Sequence, residues 1–463
     1  MPEMYSIWAV AVNTVRQALR LKIAVTFIIL LAVLLPVMGT IMTGDGTLKG
    51  KLQTFVCYGL SLTGFLLCLL TIIVSIYSLS SDIAQRQVYT VLTKPVRRFQ
   101  LLLGKLAGVV LLDAALLFLF SAVIYVIIIY MPGFSKASDI ELVQAQNEFY
   151  TARAGLTPVE PDVTKEVLET YNRLLRSGQV PPEVADNIVK RKNYIKTLTE
   201  QIKLSKRAAG VGQDLVLEFN NVKPLDPNQS LFIRFKYDVS RNPPDLQIYS
   251  RWFVGDDRQL RYGTEIRTLM YTFDRKDLIR TFHEIEVPAK AVAEDGYLAV
   301  AFLNVPRFND AVVMFPAKDG MEVLYKADTF TANYIRAVLL ILFNLVFLAC
   351  LGILASTFLS FNVAMLLCLA VFFTGTISGF CLESFDFLSA NVSSIYSFTI
   401  RPIVQLLPQF DKFSPIKFLV PARLLSWLLL AEAAGSMICI KSVLLMLLAS
   451  VIFRYREIAK VII

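Results

Sequence analysis

Six apolar runs of about twenty residues or more alternate along the chain with polar stretches of very unequal length. They lie at about Ile23 to Met42, Phe55 to Leu79, Leu106 to Tyr130, Tyr334 to Phe358, Val363 to Cys381 and Ala434 to Phe453. A helix rises 1.5 Å per residue, so about 20 apolar residues cross the roughly 30 Å of hydrocarbon in a bilayer. Each run therefore predicts a membrane-spanning helix. Before the first, Tyr5 to Leu21 places Ile7, Val10, Ala11, Val15 and Leu19 at helical spacing, with Arg16 and Arg20 elsewhere on the wheel. That pattern predicts a helix lying along the membrane surface rather than a cleavable signal. Leu424 to Leu430 is apolar but too short to cross alone, and is expected to form a re-entrant or interfacial helix.

The long polar stretch, residues 132–332, divides by periodicity. Residues 136–208 are charged and helical. Val167, Tyr171, Leu174 and Leu175 share one helical face, and Val184, Ile188, Ile195, Leu198 and Ile202 another, with Ser177-Gly178-Gln179 between them. This predicts a helical hairpin. Residues 212–330 carry short alternating segments at Leu215–Phe219, Leu231–Tyr237, Leu246–Tyr249, Thr268–Phe273, Phe282–Val287 and Tyr297–Phe302, separated by turn residues. They predict an antiparallel β-sandwich. Tyr249 and Trp252 are candidates for stacking on a sugar or, equally, for the core. The expected fold class is thus an α-helical polytopic membrane protein of six transmembrane helices with an extracytoplasmic α+β insertion. Its parts are 1–131 (surface helix and three spans), 132–332 (insertion) and 333–463 (three spans with outer re-entrant or interfacial helices).

Charge supplies the orientation. Arg20 and Lys22 precede the first run, and Arg454, Arg456 and Lys460 follow the last. The loop between the second and third runs carries Arg86, Lys94, Arg97, Arg98 and Lys105 against the single acid Asp82. Lys and Arg beside spans resist translocation, so both termini and this loop are expected in the cytoplasm and the insertion outside it. Within the loop, Val88, Val91 and Leu92 form one face of a short amphipathic helix that Pro95 ends.

Composition agrees: of 463 residues 55% are hydrophobic, and the mean hydropathy is +0.57. The formal net charge of +9 is explained by the flanks of the spans, and no aromatic-basic nucleic-acid motif is present. All six cysteines fall in or beside apolar runs, so the insertion is not a disulfide scaffold. There is one histidine, His283, no CxxC, no Walker A sequence and no nucleophile or metalloprotease motif. The chain is expected to be non-catalytic, with no metal or cofactor of its own. Asp113, inside the third run, is a candidate translocation-path residue, because an intramembrane acid is costly. Lys441 is expected to snorkel to the outer interface. Gly375 and Gly379 form a GxxxG that permits close helix packing within a subunit or between two.

The segment from Leu92 to Lys105, LTKPVRRFQLLLGK, resembles the stretch between the second and third spans of ABC-2 type transporter permeases, at Leu92, Pro95, Val96, Arg98, Leu103, Gly104 and Lys105. Val88 and Tyr89 stand where that family usually has Gly-Thr. The surface helix before the first span and the short helices before the last are similar to that family's too. The resemblance covers the six-span frame, about half the chain, and not the insertion. It implies a coupling segment over residues 82–100, with Asp82, Val88, Val91, Leu92, Pro95, Arg97, Arg98 and Lys105 contributing to the docking of an ABC ATPase subunit. It further implies that ATP and Mg are bound by that partner, that a second permease subunit completes a homodimer or heterodimer, and that the complex is an exporter. A bacterial inner (plasma) membrane is the expected location, where the insertion would meet a substrate or a periplasmic partner. The alternative is a membrane-anchored scaffold or sensor whose β-sandwich binds an envelope partner or glycan.

Overall fold

The computed structural model describes residues 2–85, 97–135, 137–181, 188–226, 228–263, 268–317, 319–386 and 407–455. The chain divides into two compact units, Met1–Ala152 with Thr329–Ile463, and Arg153–Asp328. The expected insertion boundaries at 132 and 332 therefore move inward.

The first unit holds six helices long and apolar enough to cross a membrane. In chain order its first elements are α1 (Pro2–Leu19), α2 (Lys22–Ile41), α3 (Leu48–Ala84), α4 (Arg98–Phe134) and α5 (Asp139–Glu148). Gly44 and Gly46 adopt positive φ of 61° and 89° in the turn between α2 and α3, a backbone that suits glycine. Thr47 then caps α3, its hydroxyl accepting the Gly50 amide at 3.0 Å. Both α3 and α4 run for 37 residues, well beyond the apolar runs within them. The reason is that a helix continues to its cap, whereas an apolar run ends where burial ends. α5 is a further helix upstream of the two expected to form the hairpin. Ser138 and Glu141 cap it reciprocally, and its Ala145, with Phe149 just beyond, joins the core of the span helices. The Tyr150 hydroxyl also donates to the Ile128 carbonyl at 2.7 Å.

In the second unit the order is β1 (Thr151–Leu156, whose last four residues begin the unit), α6 (Thr164–Arg176), α7 (Ile188–Ser205), β2 (Ala208–Ala209), β3 (Asp214–Phe219), β4 (Ser230–Phe235), β5 (Asp238–Val239), β6 (Gln247–Gly255), α8 (Arg258–Tyr262), β7 (Tyr271–Leu278), β8 (His283–Pro288), β9 (Leu298–Asn304), β10 (Val313–Met314) and β11 (Met321–Thr329). The α6 and α7 helices pack through Val167, Tyr171, Leu174, Ile195, Leu198 and Ile202, with Gly178 at φ 67° after α6. Val184 lies outside the described residues. The strands form two four-stranded sheets, ordered β1-β11-β4-β8 and β3-β9-β6-β7, and a small sheet β2-β10-β5. The pairings β4 with β8, β4 with β11, β3 with β9, β6 with β9 and β6 with β7 are antiparallel.

The two larger sheets contribute to one core. Trp252 of β6 lies 4.4 Å from the Phe235 ring of β4 and 5.0 Å from Phe302 of β9, centroid to centroid. Trp252 is fully buried, which removes it as a sugar platform. Its Nε1 donates to the Ser250 hydroxyl at 2.9 Å, so the indole carries no unsatisfied donor into the core. His283 is packed as well, with Nε2 2.7 Å from the Thr281 hydroxyl and 2.9 Å from the Leu278 carbonyl.

The chain returns to the first unit through α9 (Phe330–Phe358), α10 (Phe361–Asp386), α11 (Ile416–Leu419) and α12 (Trp427–Tyr455). Most of α3 and α9 is buried inside this unit, whereas α2, α10 and α12 are mainly exposed. α12 corrects the expected re-entrant helix. Ser426 caps it at the Leu429 amide, and the apolar residues from Trp427 to Leu430 become its first turn. It passes without a break through a π-helical stretch, Ala434–Ser442, and on to Tyr455. Its one acid, Glu432, is paired with Lys412 at 2.5 Å, so the charge does not stop the helix.

Candidate functional site

The residues expected to couple to a partner fall at the junction of α1, α3 and α4. α3 presents Thr71, Ser75, Ser78 and Asp82 as a buried polar face at i, i+4, i+7 and i+11. Asp82 at its end meets Lys105, one turn or two into α4, with Nζ 2.6 Å from Oδ2. The Lys105 side chain is 1% exposed and that of Asp82 9%. Gln17 of α1 closes the group: its Oε1 accepts from Lys105 Nζ at 3.0 Å, and its Nε2 donates to Asp82 Oδ1 at 3.2 Å. A buried charge pair is tolerated when geometry is good and further hydrogen bonds satisfy its remaining donors and lone pairs, and Gln17 supplies both kinds.

Glycine lets α1 come this close. A Cβ on Gly104 would stand 2.6 Å from Val10 Cβ, and one on Gly108 2.6 Å from both the Ala11 carbonyl oxygen and Thr14 Cβ. Gly104-x-x-x-Gly108 is thus a small-residue seam of the kind that lets helices approach. In the sequence Gly104 stands out only within the family-like segment, and Gly108 and Gln17 fall in no candidate site. The GxxxG spacing was the signal available for the first two; nothing local marks Gln17. Gly375 and Gly379 also face their own chain: a Cβ on Gly375 would stand 2.7 Å from the Pro408 carbonyl oxygen, and one on Gly379 would collide with Asp411.

Arg98 lies at the same end of α4 and reaches α12. Its Nη1 donates to the carbonyls of Phe453 and Arg454, each at 2.9 Å, satisfying acceptors in the last turn of that helix. Arg97 is the N-cap of α4, and its amide donates to Gln100 Oε1 at 2.9 Å. Val88, Val91, Leu92 and Pro95, together with the rest of residues 86–96, lie outside the described residues.

Asp113 stands two turns further along α4, fully buried near Thr71. Neither of its carboxyl oxygens has a hydrogen-bond partner among the described residues, and the Thr71 hydroxyl donates instead to the Leu67 carbonyl at 2.8 Å. Lys441 donates to the Leu407 carbonyl at 2.7 Å. Tyr249 lies on the β-rich unit, stacked on Phe308 with centroids 4.7 Å apart. Beside it the ion pair between Lys276 and Asp245 holds the carboxyl below its usual range and the ammonium above its own. Among the described residues no group of His, Cys, Asp and Glu is arranged to hold a metal ion.

Chemically, the described residues of the α1–α3–α4 junction offer a charge pair satisfied by Gln17. What it offers is mechanical: three helices tied at one level, on either side of a basic connecting segment. Comparison with protein-family models, with curated proteins and with solved structures gives no match.

Proposed function

We propose that this chain is the membrane-spanning permease subunit of an ATP-binding cassette transporter of the ABC-2 type, working as an exporter and energised by a separate ATPase that docks on residues 82–100. The observation that carries the reading is the buried Asp82–Lys105–Gln17 group. It fixes the two helix ends that flank the basic segment to each other and to α1. A push on that segment then moves three helices as one body, the rigid-body kind of switch that alternating access needs. ATP and Mg would be held by the ATPase, and a second permease subunit would complete the pore. The β-rich unit would work outside the cytoplasm on a substrate or an envelope partner. The scaffold or sensor reading is favoured by one observation, the aromatic hollow on that unit.

The deciding experiment is purification of the full-length chain from its native membrane beside a variant with residues 86–96 replaced by a neutral linker. The intact chain is expected to bring an ATP-hydrolysing partner that the variant loses. Equal ATPase recovery with both, or with neither, would sink the proposal.

A further inference from the structure

The β-rich unit carries a hollow of about 350 Å³ on the sheet β3-β9-β6-β7, beside the turn that follows β9. Phe308 in that turn is 58% exposed, unusual for a ring that is also held in place. It stacks on Tyr249 with an interplanar angle of 29°. Lys276 Nζ lies 4.7 Å from the Tyr249 centroid and the Arg307 guanidinium 5.9 Å from that of Phe308, and of the two rings Phe308 is the exposed one. Asn309, itself buried, locks the turn. Its Oδ1 accepts the Tyr249 amide at 3.1 Å, and its Nδ2 donates to the Tyr249 carbonyl at 2.6 Å and to the fully buried Asn304 at 2.8 Å. The backbone of β6 thus fixes the residue next to Phe308.

The polar rim is complementary in both senses of hydrogen bonding. Arg251 donates from Nε to Asp274 Oδ1 at 2.6 Å and from Nη2 to Oδ2 at 3.0 Å. Nη1 and the outer lone pairs of Asp274 take no part in that pair, which gives the rim a donor and acceptors. Lys276 pairs with Asp245 at 2.8 Å and Arg275 with Asp277 at 2.7 Å. Arg251, Arg275 and Lys276 of the lining thus each have a carboxylate partner, of which Asp274 lines the hollow and Asp277 is buried. An exposed aromatic ring bordered by donors and acceptors fits a ligand with one flat C–H face and vicinal hydroxyls at its edge, because each hydroxyl both donates and accepts.

We infer that this hollow binds a saccharide, with a pyranose stacked on Phe308 and a vicinal diol on the Arg251–Asp274 pair. The inference does not rest on the transport reading, since a scaffold could use the same site.

The test is equilibrium binding of the full-length chain in lipid nanodiscs, free of sugar-based detergent. The probes are fluorescently labelled linear oligosaccharides of neutral hexoses, of N-acetylhexosamines and of uronic acids. At least one class is expected to bind. Phe308→Ala should weaken it about tenfold, the effect of about 1.4 kcal/mol of lost stacking, and Phe308→Tyr should restore it. Arg251→Met should weaken it as well. Near-ultraviolet circular dichroism of the buried Trp252 environment checks that each variant is folded. Absence of binding by all three classes, or binding that folded Phe308→Ala and Arg251→Met leave unchanged, overturns the inference.

Discussion

Replacing Lys105 by Met tests how the junction of α1, α3 and α4 is held. The substitution keeps most of the side-chain volume and removes one charge from a pair whose N–O separation is 2.6 Å. Asp82 would then be a buried carboxylate with Gln17 Nε2, at 3.2 Å, as its remaining donor. Breaking a buried pair by removing one partner costs about 3–5 kcal/mol, because the other charge is left uncompensated. Removing both charges with Asp82→Leu and Lys105→Met leaves only the Gln17 amide unsatisfied, at about 1–3 kcal/mol. Replacing a buried pair by apolar groups is otherwise neutral or stabilising by about 1–4 kcal/mol. The double variant is therefore expected to be more stable than Lys105→Met alone. The assay is thermal unfolding of the full chain in nanodiscs, with limited proteolysis of α1 as the local readout. A single variant as stable as the parent, or a double variant no better than the single, would refute the reasoning. In the transport reading the double variant has a second use: it should fold and still lose specificity of the tie, which ATPase coupling would register.

Gly108→Val should push α1 off α4, since its Cβ would sit 2.6 Å from the Ala11 carbonyl oxygen and Thr14 Cβ. Overpacking costs about 1–3 kcal/mol, and accelerated cleavage of α1 by protease would report it. Asp113→Asn should leave thermal stability unchanged or raise it, because neither carboxyl oxygen has a partner to lose among the described residues; a drop of more than about 1 kcal/mol, the worth of an ordinary hydrogen bond, would reveal one. Trp252→Ala should destabilise the β-rich unit by about 3–5 kcal/mol, read as a lower denaturation midpoint in far-ultraviolet circular dichroism. Acid should weaken the same unit. The Arg258 hydrogen bond holds Asp256 below its usual value of 3.8, as Arg251 does for Asp274. A depressed carboxyl stabilises the fold above its ordinary value, and that stability is lost as pH falls through the folded one. A pH titration of the circular dichroism should therefore show the loss below about 4, shifted in Asp256→Asn.

Much of the frame was legible in one sequence because burial in lipid demands long apolar runs, and all six were visible as such. Their ends were not, since capping by Thr47 and Ser426 depends on backbone direction rather than hydropathy. Six strands were legible from alternation. β1, β11 and the two-residue β2, β5 and β10 were missed, the first because its residues, TARAGL, look helical and become a strand only by pairing beside β11. Trp252 and Tyr249 lie three residues apart on one strand, and alternation alone sends them to opposite faces; which face is the core was settled by Phe235 and Phe302 arriving from two other strands.

The candidate site divides in the same way. Local chemistry marked Asp82 and Lys105 as charges at the edges of apolar runs, and a positive loop between two spans was sufficient to single out the segment that joins them. Only the tertiary structure pairs the two, because 23 positions of chain separate residues 82 and 105 and only antiparallel helix packing returns one to the other. The third member, Gln17, comes from a helix that nothing local tied to this site. A polar side chain on an amphipathic surface helix gains its meaning from what it faces, and what it faces is decided by how closely two glycines let the helices approach.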